Sequence, residues 1–358
     1  SFLSRPPSGL IMNNNKRPTI ATVAAHAGLS VATVDRVLNA RAPVNPDTAE
    51  QVFQAAEAVG YFAARLIGQR IRERRPAYRF GILLLGTAQA FYGNLAAAIT
   101  EAARRQLEAN LSCHFEYIVD RSPAAIVAQI EHMAVQYDGL AVVSFTHPQI
   151  NACLAQIREA GVPVIALLSD IHEQGHEAYV GVDNHKVGRT MGWLLAHTCS
   201  ARKGSIGVML GGHRFQGHQA RIDGLHSYLA QHAPGLKLLN PLINMDNNEV
   251  TEEAALDLLA RHTDLRGLCV VGGGGDGIIR ALAQQPGRPG LCSILPESTE
   301  LSHQALKQGL ISLVVDSQPK LIAAALMDLL VELQTAPQFD PLRHRIHVPL
   351  QIVTSENL

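Results

Sequence analysis

Three apolar runs of this chain end in polar residues that could bind a small ligand. His147 follows the run Leu140–Ser144, Asp170 follows Pro163–Leu168, and Asp276 follows a run that closes in glycines. An ionised carboxylate accepts hydrogen bonds from two hydroxyl groups at once, and these bonds are stronger than those between neutral groups. In a doubly wound sheet, ligands bind beyond the carboxyl ends of the strands, so we expect ligand contacts at these turns.

The glycine-rich segment Val270–Leu282, VVGGGGDGIIRAL, has the strand, glycine turn and helix of a phosphate cradle. No Gly-Lys-Ser/Thr follows the glycines, which excludes a P-loop. A dinucleotide fingerprint would belong to the first strand of such a unit and would need an acidic residue further along, which is missing. We therefore interpret the glycines as backbone that approaches a ligand closely, with Asp276 as the contact.

The histidines and cysteines do not form a metal-binding pattern. His213, His218 and His226 lack ligand spacing, so we expect neither a metal nor another cofactor. The five cysteines are an odd number, scattered and without a CxxC pair, which predicts reduced thiols in a cytoplasm. No nucleophile–base pair or pair of carboxylates stands out either, so we do not expect an enzyme.

The elements that would position these residues alternate between strands and helices. Short β-branched runs are separated by helical stretches such as Asn94–Ala109 and Ala124–Ala134. This alternation predicts an α/β fold in which a parallel sheet is wound on both faces. The pattern restarts near residue 178, which predicts a second lobe and a cleft between the two lobes. The strand-like runs are 80–85, 115–119, 140–144, 163–168, 178–182, 206–210, 268–272, 291–295, 311–315 and 348–353.

A different pattern precedes the sheet, in TIATVAAHAGLSVATVDRVLN, residues 19–39. Thr19 is placed to cap a first helix, Gly28 supplies a left-handed turn, and Ser30 is placed to cap a second helix, Val31–Leu38. Two short helices about a glycine turn are typical of a helix-turn-helix, whose second helix enters the DNA major groove. The alternative is an ordinary helical hairpin.

A third helix and an excess of positive charge follow. Asp47 is the predicted N-cap of the third helix, and Gly60 closes it. Between residues 13 and 79 the chain carries ten Lys and Arg against five Asp and Glu, a local charge of +5. Because the whole chain carries −1, the remainder carries −6. A basic module on an acidic body fits a phosphate-binding unit joined to a sensor, and the alternative is a solvated charge run at a domain boundary.

The helix-turn-helix and the following V…TAEQVFQAAEAVGY resemble the headpiece of the LacI family of bacterial transcription regulators. The resemblance implies that the second helix reads bases through Val31, Ala32 and Arg36, of which Arg36 carries the base-reading guanidinium. Asp35 stands where relatives usually carry serine. The other expected DNA contacts are Thr19, Ser30, Thr33, Asn39, Arg65 and Leu66.

Residues 63–77 correspond to the linker of that family. In family members the linker is a hinge helix that folds on operator DNA and wedges a leucine pair into a minor-groove step. This chain departs from the family pattern, because residues 62–64 replace its Pro-Asn start and Arg70 stands where the leucine is expected. Leu66 or Ile67 is then left to act as the wedge.

From Phe80 to Ser355 the chain resembles the sugar-binding periplasmic proteins, which supply the sensor half of the family. Arg221-x-x-Gly224 matches a motif whose arginine binds ligand oxygens from the second lobe. Asn184, at the crossover into that lobe, is interpreted as structural. The effector contacts expected from the turns and the resemblance are Gln89, Phe91, Tyr92, His147, Asp170, Arg221, Gly275, Asp276, Glu297 and Gln318.

We therefore predict a disordered tail (1–15), a helix-turn-helix headpiece (16–62), a linker (63–77) and a two-lobed core (78–358). Lobe 1 is assigned residues 78–183 and 296–318, and lobe 2 residues 184–295 and 319–358. Met12 is the expected start, because residues 1–11 do not resemble a signal peptide.

The expected protein is a bacterial transcriptional repressor. We expect it to be a cytoplasmic, nucleoid-associated homodimer that binds operator DNA under the control of a small carbohydrate effector. No apolar run reaches the ~20 residues of a membrane span, so no membrane partner is expected. The alternatives are a solute-binding receptor without a DNA role and a sugar-acting enzyme.

Overall fold

The computed structural model describes residues 17–39, 44–86, 90–171, 178–199, 202–285, 290–335, 340 and 343–358. The chain divides into two compact units. The N-terminal unit ends at Pro76 and includes Leu107–Asn110, and the core contains Ala77–Gln106 and Leu111–Leu358. Nearly all of the linker, up to Pro76, therefore belongs to the headpiece unit rather than forming a separate part. Among the helices of the described residues, none combines the length and apolarity that crossing a bilayer requires.

The N-terminal unit contains α1 (Ile20–Ala27), α2 (Val31–Asn39), α3 (Pro46–Ala58) and α4 (Ala64–Arg74). Thr19 caps α1 by accepting from the Thr22 amide, and Gly28 adopts the left-handed conformation with φ 66°. Ser30 Oγ accepts from the Thr33 amide at 3.1 Å and so caps α2. These contacts confirm the predicted caps and turn.

The N-cap predicted for α3 is wrong by two residues. Asn45 is the cap, because its Oδ1 accepts from the Asp47 amide at 2.9 Å. Pro46 then occupies the first helical position, where its missing N–H removes no helical hydrogen bond. Asp47 instead lies in the first turn of α3, where its negative charge is favourable next to the helix dipole.

The core is built from strands and helices in alternation. The strands are β1 (Ala77–Leu85), β2 (Asn110–Ile118), β3 (Gly139–Val142), β4 (Val164–Leu167), β5 (Ala178–Gly181), β6 (Gly204–Leu210), β7 (Leu236–Leu238), β8 (Leu242–Ile243), β9 (Leu265–Val270), β10 (Cys292–Leu295), β11 (Leu313–Asp316), β12 (Arg345–His347) and β13 (Gln351–Val353). The helices are α5 (Ala90–Arg105), α6 (Pro123–Ala134), α7 (Pro148–Glu159), α8 (Asn184–Thr198), α9 (Gln216–His232), α10 (Asn248–Arg261), α11 (Gly275–Gln284), α12 (Glu300–Lys307) and α13 (Pro319–Thr335).

Two sheets organise these elements into two lobes. The first sheet has the order β12-β5-β4-β3-β1-β2, and the second has the order β13-β11-β10-β9-β6-β7, with β8 beside β6. The described pairings are parallel except for that of β11 with β13. Residues on both faces of β1, such as Ile82, Leu83 and Leu84, are fully buried. Burial on both faces is what helices on each side of a parallel sheet produce.

The predicted lobe boundaries in the last third of the chain are wrong. β11 pairs with β10 and β13 in the second sheet, so the chain has not returned to lobe 1 at residue 296. The return comes after Asp316, because α13 packs on α5 and β3, and β12 pairs with β5. The sequence prediction assigned residues 319–358 to lobe 2 and did not include the three-residue strand β12.

Candidate functional site

A cleft of about 640 Å³, counted out to its mouth, opens between the two lobes. Its wall includes residues that end a strand or directly follow one, namely Leu85, Val143, Leu168, Val182, Val271, Pro296 and Ser317. The cleft therefore lies at the carboxyl ends of both sheets, which is where doubly wound sheets bind ligands.

Four residues predicted to contact the effector line this cleft: Phe91, Tyr92, Arg221 and Glu297. The Phe91 and Tyr92 rings meet edge to face with centroids 5.4 Å apart. Burial raises the pKa of Tyr92, so its hydroxyl stays protonated and can donate a hydrogen bond. The cleft therefore combines an aromatic surface with polar groups of both charge signs.

Arg221 is held in place by the protein itself. Its Nε donates to Asn184 Oδ1 at 2.8 Å, and its Nη1 donates to the Val271 carbonyl at 2.9 Å. Gly224, one turn further along α9, allows this placement, because a Cβ there would overlap the carbonyl oxygen of His185 on α8. The Arg-x-x-Gly motif thus sets α9 close against α8 and points the guanidinium at the cleft.

Glu297 has an unusual charge state. Burial, together with the nearby carboxylates of Asp276, Asp246 and Asp316, raises the pKa of Glu297 to about 8, although Arg221 opposes the shift. The carboxyl group therefore carries a proton at neutral pH, so it can donate a hydrogen bond as well as accept one.

The raised pKa of Glu297 makes the stability of the core dependent on pH. Between pH 4.5, the ordinary pKa of Glu297, and its folded value of about 8, the unfolded chain loses a proton that the folded chain keeps. The free energy of unfolding of the wild type therefore falls over this range, while Glu297→Gln escapes this loss. We expect the free energy of unfolding of Glu297→Gln, relative to that of the wild type, to rise by roughly 1–3 kcal/mol from pH 5 to pH 8.

Urea unfolding at several pH values would measure that difference. Glu253→Gln, which removes an exposed carboxyl group on α10, is the matched control. A difference between Glu297→Gln and the wild type that stays constant with pH would contradict the assignment of a protonated Glu297.

The predicted base-reading residues form the outer face of α2. Val31 is 52% exposed and Ala32 and Arg36 are exposed, whereas Val34 and Leu38 are buried against the headpiece. The Arg36 guanidinium lies along its own helix, since Nε donates to the Ala32 carbonyl at 3.3 Å. The side chain is thus free of the headpiece core and can reach outward.

The other predicted DNA contacts differ in their surroundings. Asn39 Nδ2 donates to Asp35 Oδ1 at 2.6 Å, so these two side chains bind each other. Of the two candidate wedge residues, Ile67 is 4% exposed and Leu66 is 58% exposed. Ile67 is therefore part of the headpiece core, and Leu66 is the candidate that remains on the surface.

Two family descriptions match this chain in order. "Bacterial regulatory proteins, lacI family" matches residues 19–63, and "Periplasmic binding protein domain" matches residues 80–337, which is more than half of the chain. The chain belongs to the LacI family. Members of this family are DNA-binding transcriptional regulators rather than enzymes, and this LacI-family protein has both of their domains.

Curated relatives of this LacI-family protein are regulators too. The HTH-type transcriptional regulator GalS of Salmonella typhimurium is 27% identical over 255 residues, 69% of each chain. The HTH-type transcriptional regulator MalR of Streptomyces coelicolor is 26% identical, and the match spans 57% of each chain. The maltose regulon regulatory protein MalI of Vibrio furnissii is 34% identical over 95 residues, 26% of this chain and 67% of that one.

Solved structures of solute-binding proteins share the fold of the core. An ABC transporter solute-binding protein from Agrobacterium vitis, bound with alpha-D-tagatopyranose, is 19% identical with a TM-score of 0.69 over 78% of this chain and 95% of that one. One from Burkholderia graminis, in complex with D-arabinose, is 20% identical with a TM-score of 0.68 over 78% and 96%. At such identities the likeness shows the fold alone.

The LacI-family core also places in the cleft a carboxylate that sequence reasoning missed. Asp246 lines the cleft, its Oδ1 accepts from the Gly273 amide at 2.8 Å, and its Oδ2 lies 3.8 Å from Arg121 Nη1 of lobe 1. Met245 and Asp246 both have positive φ, 52° and 56°, a conformation that is strained for residues other than glycine. Asp246 lies in the turn between β8 and α10. Such turns were considered in the sequence analysis, but the two-residue strand β8 was not recognised, and this turn was therefore not considered.

Further cleft residues were assigned other roles, or none, from the sequence. Asn184, interpreted as structural, lines the cleft and also donates to the Leu168 carbonyl at 3.0 Å. His218 lies beside the Phe215 ring, and burial lowers the pKa of His218 to about 4, so the ring is neutral. Within the described part of the chain, no three His, Cys, Asp or Glu side chains come together as a metal site would require.

Asp170 does not line the cleft, contrary to the prediction. Its two carboxylate oxygens accept from Arg345 Nη2 at 2.7 and 2.9 Å, and Arg345 lies over the Tyr179 ring at 5.0 Å. Asp170 thus holds β12 against the loop after β4. Its neighbour Ser169 lines the cleft instead, where Ser169 Oγ accepts from the Gly217 amide of lobe 2 at 2.9 Å.

Other predicted effector contacts also lie outside the cleft wall. His147 caps α7 by accepting from the Gln149 amide at 3.3 Å, and Gln318 donates to the Pro349 carbonyl at 2.7 Å. Gly275 begins α11, and Asp276 in its first turn acts on the cleft through the pKa of Glu297. The Gln89 prediction lies outside the described residues, as do the predictions for residues 1–15.

The two lobes touch directly beside the cleft. The Thr146 amide of lobe 1 donates to the Arg214 carbonyl of lobe 2 at 3.1 Å, and the Arg214 guanidinium lies 4.4 Å from the centroid of the Phe145 ring. With the bond from Gly217 to Ser169, these contacts join the two lobes directly.

Proposed function

We propose that this LacI-family regulator is a homodimer whose operator affinity is controlled by an uncharged sugar or polyol bound between its lobes. The observation that carries the proposal is the cleft, which brings Arg221, Asp246, Glu297 and the Tyr92 hydroxyl around aromatic rings. These residues supply hydrogen-bond donors and acceptors for the hydroxyl groups of a polyhydroxylated molecule and an apolar surface for its C–H groups. The related folds solved with D-arabinose and alpha-D-tagatopyranose support the same ligand class.

The charges around the cleft favour an uncharged effector. Asp246 lines the cleft, and Asp276 and Asp316 lie close enough to raise the pKa of Glu297. Arg221 already donates to two protein oxygens, so less of its guanidinium is left to balance a further anion. A sugar acid or sugar phosphate would therefore meet net repulsion, and a neutral polyol would not.

Control of the operator would follow from the two-lobed construction. A ligand that contacts both lobes biases their relative orientation only by the difference between its affinities for the two arrangements. We propose that this bias reaches the paired headpieces of a cytoplasmic, nucleoid-associated dimer.

The experiment is a thermal-shift screen of the full chain against neutral aldoses and polyols, each paired with its acid or phosphate derivative. Compounds that bind are then added to an operator gel shift. We expect neutral compounds to raise Tm and to change operator affinity. Binding confined to acids and phosphates, or binding without any change at the operator, would contradict the proposal.

DNA recognition by α2 has its own test. Arg36→Ala removes the guanidinium that can bind a guanine edge, so we expect operator affinity to fall by about 1–3 kcal/mol. Arg104→Ala is the control, because Arg104 is a surface arginine on α5 of the two-lobed unit, and it should leave operator affinity unchanged. Gel shifts with operator DNA and with unrelated DNA distinguish base reading from phosphate binding. Loss of a base contact lowers the affinity for the operator alone, whereas loss of a phosphate contact lowers the affinity for both DNAs. Equal losses on both DNAs would assign Arg36 to phosphates.

A further inference from the structure

We propose that Cys199 and Cys292 form a reversible disulfide bond when hydrogen peroxide oxidises this protein. The bond would join the C-terminal end of α8 to the first residue of β10, within lobe 2. This goes beyond the proposed function, because neither cysteine belongs to the cleft wall. It rests on the contacts that bring these two cysteines together.

The two thiols come from different elements of lobe 2. Cys199 caps the C-terminal end of α8 with an extended backbone, φ −64° and ψ 133°. Its thiol donates to the Arg266 carbonyl at 3.2 Å, and Arg266 precedes Gly267, the residue of β9 that pairs with Cys292. The Cys199 sulfur also makes hydrogen bonds with both the thiol and the backbone amide of Cys292. The two sulfurs are therefore in contact and need only a small movement to reach the ~2 Å of a disulfide bond.

The surroundings of this pair favour oxidation at Cys292. Thr198 Oγ1 lies 3.0 Å from Cys292 Sγ. Hydrogen bonds from the side chains of Cys199, Thr198 and Ser312 hold the pKa of Cys292 below its ordinary value, although burial opposes them. A lower pKa favours the thiolate, which is the reactive form of cysteine. Cys292 itself is 2% exposed, but Cys199 beside it is half-buried, so the pair reaches the surface through Cys199.

The proposed chemistry consumes one molecule of peroxide. The Cys292 thiolate attacks one peroxide oxygen, the O–O bond breaks, and the other oxygen leaves as hydroxide and takes up a proton to become water. The Cys199 sulfur then attacks the resulting sulfenic acid and forms the S–S bond, while its thiol proton and the hydroxyl group leave together as a second water. The two sulfurs are oxidised and the peroxide is reduced to two waters. A dithiol reductant reverses the bond by exchange.

The other cysteines have different surroundings. Cys269 is fully buried on β9, close to Cys292, and burial raises its pKa well above the ordinary value. Burial also raises the pKa of Cys113 and of Cys153, which belong to lobe 1. Thiols that remain protonated are poor nucleophiles. We therefore expect the bond between Cys199 and Cys292 rather than one that includes another cysteine.

Peroxide treatment of the full chain, followed by peptide mass spectrometry, tests the proposal. The reduced protein is treated with hydrogen peroxide, the remaining thiols are alkylated in denaturant, and the chain is digested. We expect a cross-linked peptide that contains Cys199 and Cys292, from protein that still migrates as a single chain on a denaturing gel. Dithiothreitol should remove this cross-link. Because the bond closes a long loop, oxidation should also raise Tm by at least ~5 °C.

Two variants complete the design. Cys199→Ser keeps a small hydrogen-bonding side chain and should lose both the cross-link and the shift in Tm. Cys113→Ser, which replaces another partly buried free thiol, is the matched control and should retain both. Wild-type protein in which Cys199 and Cys292 are both alkylated after peroxide treatment, or in which Cys292 bonds to Cys269, would overturn the proposal even if a variant fails to fold. A cross-link that leaves Tm unchanged would overturn it as well, because the bond would then have formed outside the native contact.

Discussion

Gly188→Ala is expected to lower the free energy of unfolding by about 3 kcal/mol, at the upper end of what overpacking a core usually costs. A Cβ on Gly188 would overlap the backbone carbonyl of Arg221, and the reciprocal contact on α9 places Gly224 against the carbonyl of His185. Both obstacles are helical backbone, which cannot rotate away as a side chain can. Moving α9 to relieve the overlap would also disturb the bond from Arg221 to Asn184.

Urea unfolding followed by circular dichroism measures this loss. Gly93→Ala in α5 is the matched control, because a Cβ at that position would meet no atom within 4 Å. The gain in helix propensity should then stabilise the protein by about 0.5–1 kcal/mol. The two substitutions are chemically identical and opposite in expected sign, so a Gly188→Ala protein as stable as the wild type would contradict the close crossing of α8 and α9.

Arg221→Ala is expected to abolish the response to the effector. The change removes a cleft donor and leaves Asn184 Oδ1 and the Val271 carbonyl without the bonds they accept, at about 1–3 kcal/mol for each buried group. It also removes the cation that lowers the pKa of Glu297, so Glu297 holds its proton more tightly. We expect effector affinity to fall about 100-fold, or roughly 3 kcal/mol.

Titration calorimetry with a compound found in the thermal-shift screen gives this affinity, and a gel shift without effector gives operator affinity. Arg189→Ala is the matched control, because Arg189 lies on α8 and donates to Ser227 and Gln231 outside the cleft wall. Near-normal operator binding by Arg221→Ala is part of the expected result. Loss of operator binding with effector affinity retained would show that Arg221 is structural.

Local sequence determined the parts of this protein that depend on near neighbours. The Thr19 cap and the Gly28 turn were predictable, because a cap needs a side-chain oxygen three residues from its donor and a left-handed turn needs a residue without a Cβ. The alternation of apolar runs and helices predicted the α/β core, because a strand buried on both faces of a parallel sheet is a continuous apolar run in the local sequence. The family resemblance added Phe91, Tyr92, Arg221 and Glu297 as cleft residues.

Tertiary structure alone decided which polar groups meet. Asp170 looked like an effector contact, but its partner Arg345 is 175 residues away on a strand too short to be recognised in the sequence. The raised pKa of Glu297 likewise depends on Asp246 and Asp276, which different strand ends bring to one cleft. Ion pairs, burial and pKa shifts depend on distances across the stacked elements, and these distances are set by how the sheets and helices pack rather than by local sequence.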